Sequence, residues 1–182
     1  MSFAPGRNRW STGEVLDHLV QVDRAFRDEF DELLRRWQKK GGGAVTLVRS
    51  LADAGFSLPL VPKALLPLFD APAAVAGVLV PRALREAVFR NRSVPAKAPR
   101  RIEPTAGRPT DELLADLRGF ADYLDGYFSD HPDVDWQRLR YYNPLTGFTT
   151  LPGILSFIGS HERRHQDQIR DILGAAHFPA FS

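Results

Sequence analysis

Val15, Leu19, Val22, Phe26, Phe30, Leu33 and Trp37 recur at spacings of three and four, the period of one buried face of an α-helix. Ser11 and Glu14 stand ahead of this run as a capping box, in which the serine caps the N–H three residues on and the glutamate reaches back. Trp10, just before the cap, is placed to act as a hydrophobic staple. Gly41, Gly42 and Gly43 end the helix. The stretch from Ala44 to Arg90 is helix-like in composition but is interrupted by Pro59, Pro62, Pro67, Pro72 and Pro81. Proline breaks or kinks a helix interior, so short pieces are expected, then a helix over about Ala73 to Phe89 with Pro81 as its break. Residues 91–109 form a basic, proline-bearing connector.

A third helix is expected from Thr110, an N-cap with Asp111 and Glu112 in the first turn. Its seam is Leu113, Leu117, Phe120, Leu124 and Tyr127 or Phe128. A loop follows from Ser129 to Thr149, with Asn143-Pro144 and Gly147 as turn signals. The last helix begins near Thr150, carries Pro152 in its first turn and ends at Gly174. Its inward row is Leu151, Ile154, Ile158, His161, His165 and Ile172, with Gln168 between. Without an alternating strand pattern, these elements predict an all-α four-helix bundle, a single domain over residues 1–182.

Composition narrows the chemistry. The chain has 182 residues, no cysteine, 24 basic and 22 acidic side chains. Disulfides, thiolate metal sites and a cysteine nucleophile are excluded. A net charge of +2 gives no field that would gather nucleic acid. The N-terminus lacks the apolar core of a signal peptide, and Ala71 to Val80 is about half the ~20 residues a membrane span needs. The expectation is a cytoplasmic protein with no nucleic-acid or membrane partner, taking a small-molecule substrate and able to pair as a homodimer through its helix faces.

His161 and His165 stand four apart in the apolar row of the last helix. Four residues turn ~400° and rise ~6 Å, so both rings project from one side. Two core positions given to histidine cost stability unless something satisfies the ring nitrogens. One divalent metal ion satisfies both; hydrogen-bonded core histidines are the alternative. His18 flanks the buried face of the first helix, three after Val15 and four before Val22, and can supply a third nitrogen if the two helices pack together. Three protein ligands with a position left over form the catalytic pattern of zinc sites. His131 and His177 read as solvated.

Two motif readings compete. His161-Glu162-Arg163-Arg164-His165 matches the zinc-protease H-E-x-x-H pattern, and Asp171 falls near a third-ligand position. Those enzymes turn the chain on a glycine three after the second histidine, where this chain has Gln168 in a helix that runs on. A di-iron bundle needs two Glu-x-x-His pairs, and only Glu162 with His165 is present.

Trp10-Ser11-Thr12-Gly13-Glu14-Val15-Leu16-Asp17-His18-Leu19 resembles the opening of the DinB-like superfamily. Lys97 to Pro104, Asn143 to Gly147 and Ser160 to His165 resemble, in order, the connector, last loop and last helix of one branch. The resemblance covers nearly the whole chain. It implies up-down-down-up bundle connectivity and a divalent metal, zinc or nickel, on one histidine of the first helix and two of the last, here His18, His161 and His165. It further implies transferases or isomerases that use a low-molecular-weight thiol, or metal-dependent hydrolases. In one departure, Asn143 stands where that branch often carries a histidine before the proline.

Two function classes follow. In the first, the ion lowers the pKa of a bound water or thiol, making a nucleophile, and Glu14 and Glu162 are candidates for orientation or proton transfer. Glu14 is also accounted for by the cap, and Glu162 by solvent. In the second, the bundle binds metal or a small ligand without catalysis. The basic run Arg90, Arg92, Lys97, Arg100 and Arg101 fits an anionic thiol cofactor, a membrane surface or, more simply, a solvated loop.

Overall fold

Residues 12–39 form one helix because cap, stripe and stop agree. The computed structural model describes residues 2–6, 9–50, 99–143, 147–176 and 178. Helix α1 spans Thr12–Lys39. The Ser11 backbone N–H and hydroxyl both donate to Glu14 Oε2, at 2.8 and 2.7 Å, and the Glu14 N–H donates to Ser11 Oγ at 3.3 Å. At the other end Gly41 and Gly42 adopt positive φ, and the Gly42 N–H donates to the Trp37 carbonyl at 3.1 Å, the bond of a glycine-terminated helix.

Strand β1 is Val45–Val48. A 3₁₀ turn at Arg100–Ile102 precedes helix α2, Thr110–Ser129. A second 3₁₀ turn at Trp136–Arg138 leads into β2, Leu139–Asn143, and β3, Gly147–Thr150. Helix α3, Leu151–Leu173, follows directly. Thr110 is the first helical residue of α2 rather than its cap: Pro109 holds the cap position without a side-chain hydrogen bond, and its carbonyl accepts from the Leu113 N–H at 3.2 Å.

The three strands make one sheet in the order β1-β2-β3. Val45 pairs in parallel with Leu139, and Arg140 pairs antiparallel with Thr150. This corrects the all-α expectation: the described chain is mainly helical with a small sheet. Val45 and Leu47 are buried while Thr46 and Val48 are exposed, the two-residue alternation of a half-covered strand. Residues 139–150, read as loop, hold Tyr141, Tyr142, Thr149 and Thr150, which suit a pleated surface. The helix expected over 73–89 lies outside the described residues, and so does most of the four-helix connectivity that depended on it.

The chain divides into two compact units. One comprises Met1–Arg27, Ile102–Pro132 and Glu162–Ser182; the other comprises Asp28–Arg101 and Asp133–His161. In the first, Leu16 and Val20 of α1 pack with Leu113 of α2, and Leu117 and Ile169 close over them. In the second, the buried Glu29 receives Arg49 at 2.7 Å and Arg101 at 3.8 Å; Arg101, from the basic run, is ion-paired and still exposed. Among the described residues no helix is long and apolar enough to cross a membrane.

Candidate metal centre

His18 lies in the second turn of α1 and is 3 % exposed. Its Nδ1 is 2.7 Å from the Ile102 carbonyl oxygen. A carbonyl only accepts, so Nδ1 carries the hydrogen and Nε2 carries the lone pair. His165 on α3 is 6 % exposed. Its Nδ1 is 2.9 Å from Gln168 Oε1, one turn on, which fixes the same tautomer. Both rings thus turn the nitrogen that can ligate away from their hydrogen-bond partners, the arrangement metal-ligating histidines use.

The candidate ligand nitrogens of His18, His161 and His165 all lie within 4.8 Å of one another. Nitrogens bound tetrahedrally to one ion at ~2.0–2.1 Å stand ~3.4 Å apart, so the rings would close by up to ~1.4 Å to share an ion. The rings of His18 and His165 meet edge to face, with centroids 4.8 Å apart. Trp10 lies against both, 4.9 Å from His18 and stacked at 6.3 Å on His165. The expected staple residue therefore walls the histidines. Phe157 stacks on His161 at 6.1 Å.

Electrostatics favour neutral rings. Burial lowers the pKa of His18, with the Ile102 carbonyl and Asp17 acting in the opposite direction. Burial, then the neighbouring His18, pushes His165 down to about 4. At neutral pH His165 is uncharged, as a ligand must be. The donor set, with the tautomers and lowered pKa of His18 and His165, fits a divalent ion.

Glu162, next to His161, is half-buried, and burial raises its pKa. It acts electrostatically on Asp23 of α1, which is 4 % exposed. Asp23 Oδ1 is buried without a hydrogen-bond partner. Its pKa rises to about 8, first through burial and then through Glu162. Asp23 was not singled out from sequence. The available signal was its position: it stands seven after Leu16 and four after Leu19, an acid within an apolar stripe. Glu14 turns its carboxylate to Ser11, which accounts for it as a capping group.

The fully buried Asp17 also went unremarked. It accepts from the Thr105 N–H at 2.6 Å and from Arg108 at 3.0 Å. Helix α3 passes through Gln168 to Leu173 unbroken, and Asp171 is exposed, against the protease pattern. His131 hydrogen-bonds the Tyr127 carbonyl at 2.9 Å, and His177 lies outside the described residues. Asn143 pairs with Gly147 at the end of the sheet; residues 144–146 of its loop are not among those described.

The class that emerges is a mainly helical protein with a three-histidine cluster, one ring from the first helix and two from successive turns of the last. The chain matches the DinB superfamily over residues 1–169. It belongs to that superfamily, and the matched span includes all three histidines. No curated protein matches the chain. No solved structure matches it either.

Proposed function

We propose that this protein is a divalent-metal-dependent enzyme acting on small molecules, by transfer to a low-molecular-weight thiol or by hydrolysis, with zinc or nickel as its ion. The observation that carries the reading is the cluster of three histidines, each offering a ring nitrogen within 4.8 Å of the others, with Nδ1 of His18 and His165 hydrogen-bonded to oxygen acceptors. When bound, the ion supplies Lewis acidity and lowers the pKa of a water or thiol at the site. The chain's own part is to hold and wall that site and to manage a proton beside it. His18, His161 and His165 hold the ion. Trp10 covers the rings of His18 and His165 and excludes water there. Asp23, raised to about 8, keeps a proton available near neutral pH, where general acid–base groups work best, and Glu162, raised by burial, acts on it.

The near-complete burial of His18 and His165 favours a second reading, a closed metal- or ligand-binding bundle without turnover. Metal content of chelator-free protein, beside His18→Ala and His165→Ala, tests the shared premise. A parent that takes up no zinc, nickel or manganese sinks the enzyme and the metal-binding form of the bundle, and leaves the histidines as core or ligand-binding groups. A parent that holds metal is then screened for hydrolysis and for thiol addition to electrophiles. Turnover lost in His165→Ala supports the enzyme, and metal without turnover supports the closed bundle.

A further inference from the structure

Asp17 and His18 are adjacent in α1, yet both side chains reach the same short stretch of connector. His18 Nδ1–H meets the carbonyl of Ile102. The two oxygens of Asp17 take the Thr105 N–H and the Arg108 guanidinium. The other branch of Arg108 donates to Asp116 Oδ2 of α2 at 2.8 Å, an oxygen that also receives Arg24 of α1 at 2.8 Å. Between Thr105 and Arg108 the chain turns on Gly107 at φ +90°, a conformation costly for other residues. The dipeptide thus grips residues 102–108 at three points.

A carboxylate with no exposed surface is expensive to bury unless its oxygens are satisfied. Here they are spent on a segment outside any helix or sheet. What that segment delivers to the cluster is the Ile102 carbonyl, and a 3₁₀ turn three residues long is too short to place it unaided.

We propose that Asp17, acting with Arg108, is a positioning residue for the metal centre: it locks residues 102–108 so that the Ile102 carbonyl holds His18 in the tautomer that presents Nε2. Resting as it does on the reading of the three histidines as metal ligands, the assignment has one arm that needs metal and one that does not. Asp17→Asn keeps the shape but turns one of the two acceptors into a donor. Arg108→Gln removes the partner from the other side and serves if Asp17→Asn does not fold. In metal-free protein, nitrogen-15 spectra of the histidine rings, assigned with His18→Ala, report the tautomer. The parent is expected to show His18 with its hydrogen on Nδ1, and each variant a mixture.

Zinc titration against a competing chelator is expected to show affinity reduced 10- to 100-fold in each variant, the usual effect of removing such a supporting contact. Far-UV circular dichroism checks that the helices persist. Zinc affinity within twofold of the parent, or affinity lost while the His18 tautomer stays unchanged in a folded variant, overturns the proposal. A parent that binds neither zinc, nickel nor manganese sinks the metal reading instead, and the tautomer comparison alone then decides whether Asp17 and Arg108 lock the ring: a mixture in the variants upholds the lock, and an unchanged tautomer overturns it.

Discussion

Asp23→Asn is expected to stabilise the metal-free protein at alkaline pH and to leave its stability near pH 4 little changed. In the folded chain the Asp23 carboxyl is raised from 3.8 to about 8, by burial and by Glu162 opposite. Between those pH values the folded protein holds a proton that the unfolded chain releases. Stability contributed by the protonated carboxyl is therefore whole below pH 4 and lost as pH rises towards 8. At ~1.4 kcal/mol per pH unit, the loss across this window is on the order of 5 kcal/mol. Asparagine matches the protonated acid in shape and stays neutral throughout. The stability gap between variant and parent should thus open steadily from pH 4 to pH 8 and level off above. Urea unfolding followed by far-UV circular dichroism at pH 4.5, 6, 7, 8 and 9, with metal removed from both proteins, measures it. Since 1 kcal/mol moves the melting point of a domain this size by ~2–4 °C, thermal melts should part by roughly 10 °C at pH 8. Curves that stay parallel from pH 5 to pH 9 would refute the reasoning, because Asp23 would then be ionised in the fold.

The remaining predictions follow from the same geometry. His165→Ala should lower metal content from about one equivalent to little, read by elemental mass spectrometry. On the acid side, His165 is held neutral down to about 4, so metal-free parent should lose roughly 3 kcal/mol relative to His165→Asn as pH falls from 6.5 to 4, by urea unfolding. Gly107→Ala meets nothing within 4 Å, so its cost is conformational alone, ~1–2 kcal/mol, and Gly107→Asn should lose less. Leu113→Ala, at a fully buried position under α1 and α3, should cost ~2–5 kcal/mol in thermal or urea unfolding.

Signals that are local and long could be read before any coordinates. Helix α1 carries its cap, its stripe and its glycine stop within one run of residues, and each names the same element. The histidines stood out because a polar ring in an apolar row needs a partner, whatever that partner is. The sheet did not stand out, since strands of four and five residues give too few repeats to fix a period, and Val45 finds its partner Leu139 far along the chain. The pairings of the connector were hidden for a related reason. Arg101 and Arg108 meet Glu29 and Asp17, carboxylates that lie far back on α1. Thr110 was a reasonable cap by type, but the cap depends on the backbone of the residue before the first turn, and that residue is Pro109.

Ser11 at the cap and Thr12, Asp17, His18 and Asp23 in the first half of α1 are all buried, a heavy load of polar groups for one stretch of chain. Ser11 is satisfied by the cap, Asp17 by Thr105 and Arg108, and His18 by Ile102. These bonds offset desolvation without making the stretch a better core than apolar side chains would. Thr12 Oγ1 and Asp23 Oδ1 lack even that compensation, and Asp23 stands against Glu162, the neighbour of a candidate ligand. A group whose raised pKa opposes folding at neutral pH, placed beside a candidate metal site, fits the trade of stability for activity. Asp23→Asn should therefore separate the two quantities. If the site is catalytic, the variant melts higher than the parent at pH 8 and turns over more slowly with its metal content intact. A variant that gains stability and keeps full turnover would assign Asp23 no part in the chemistry.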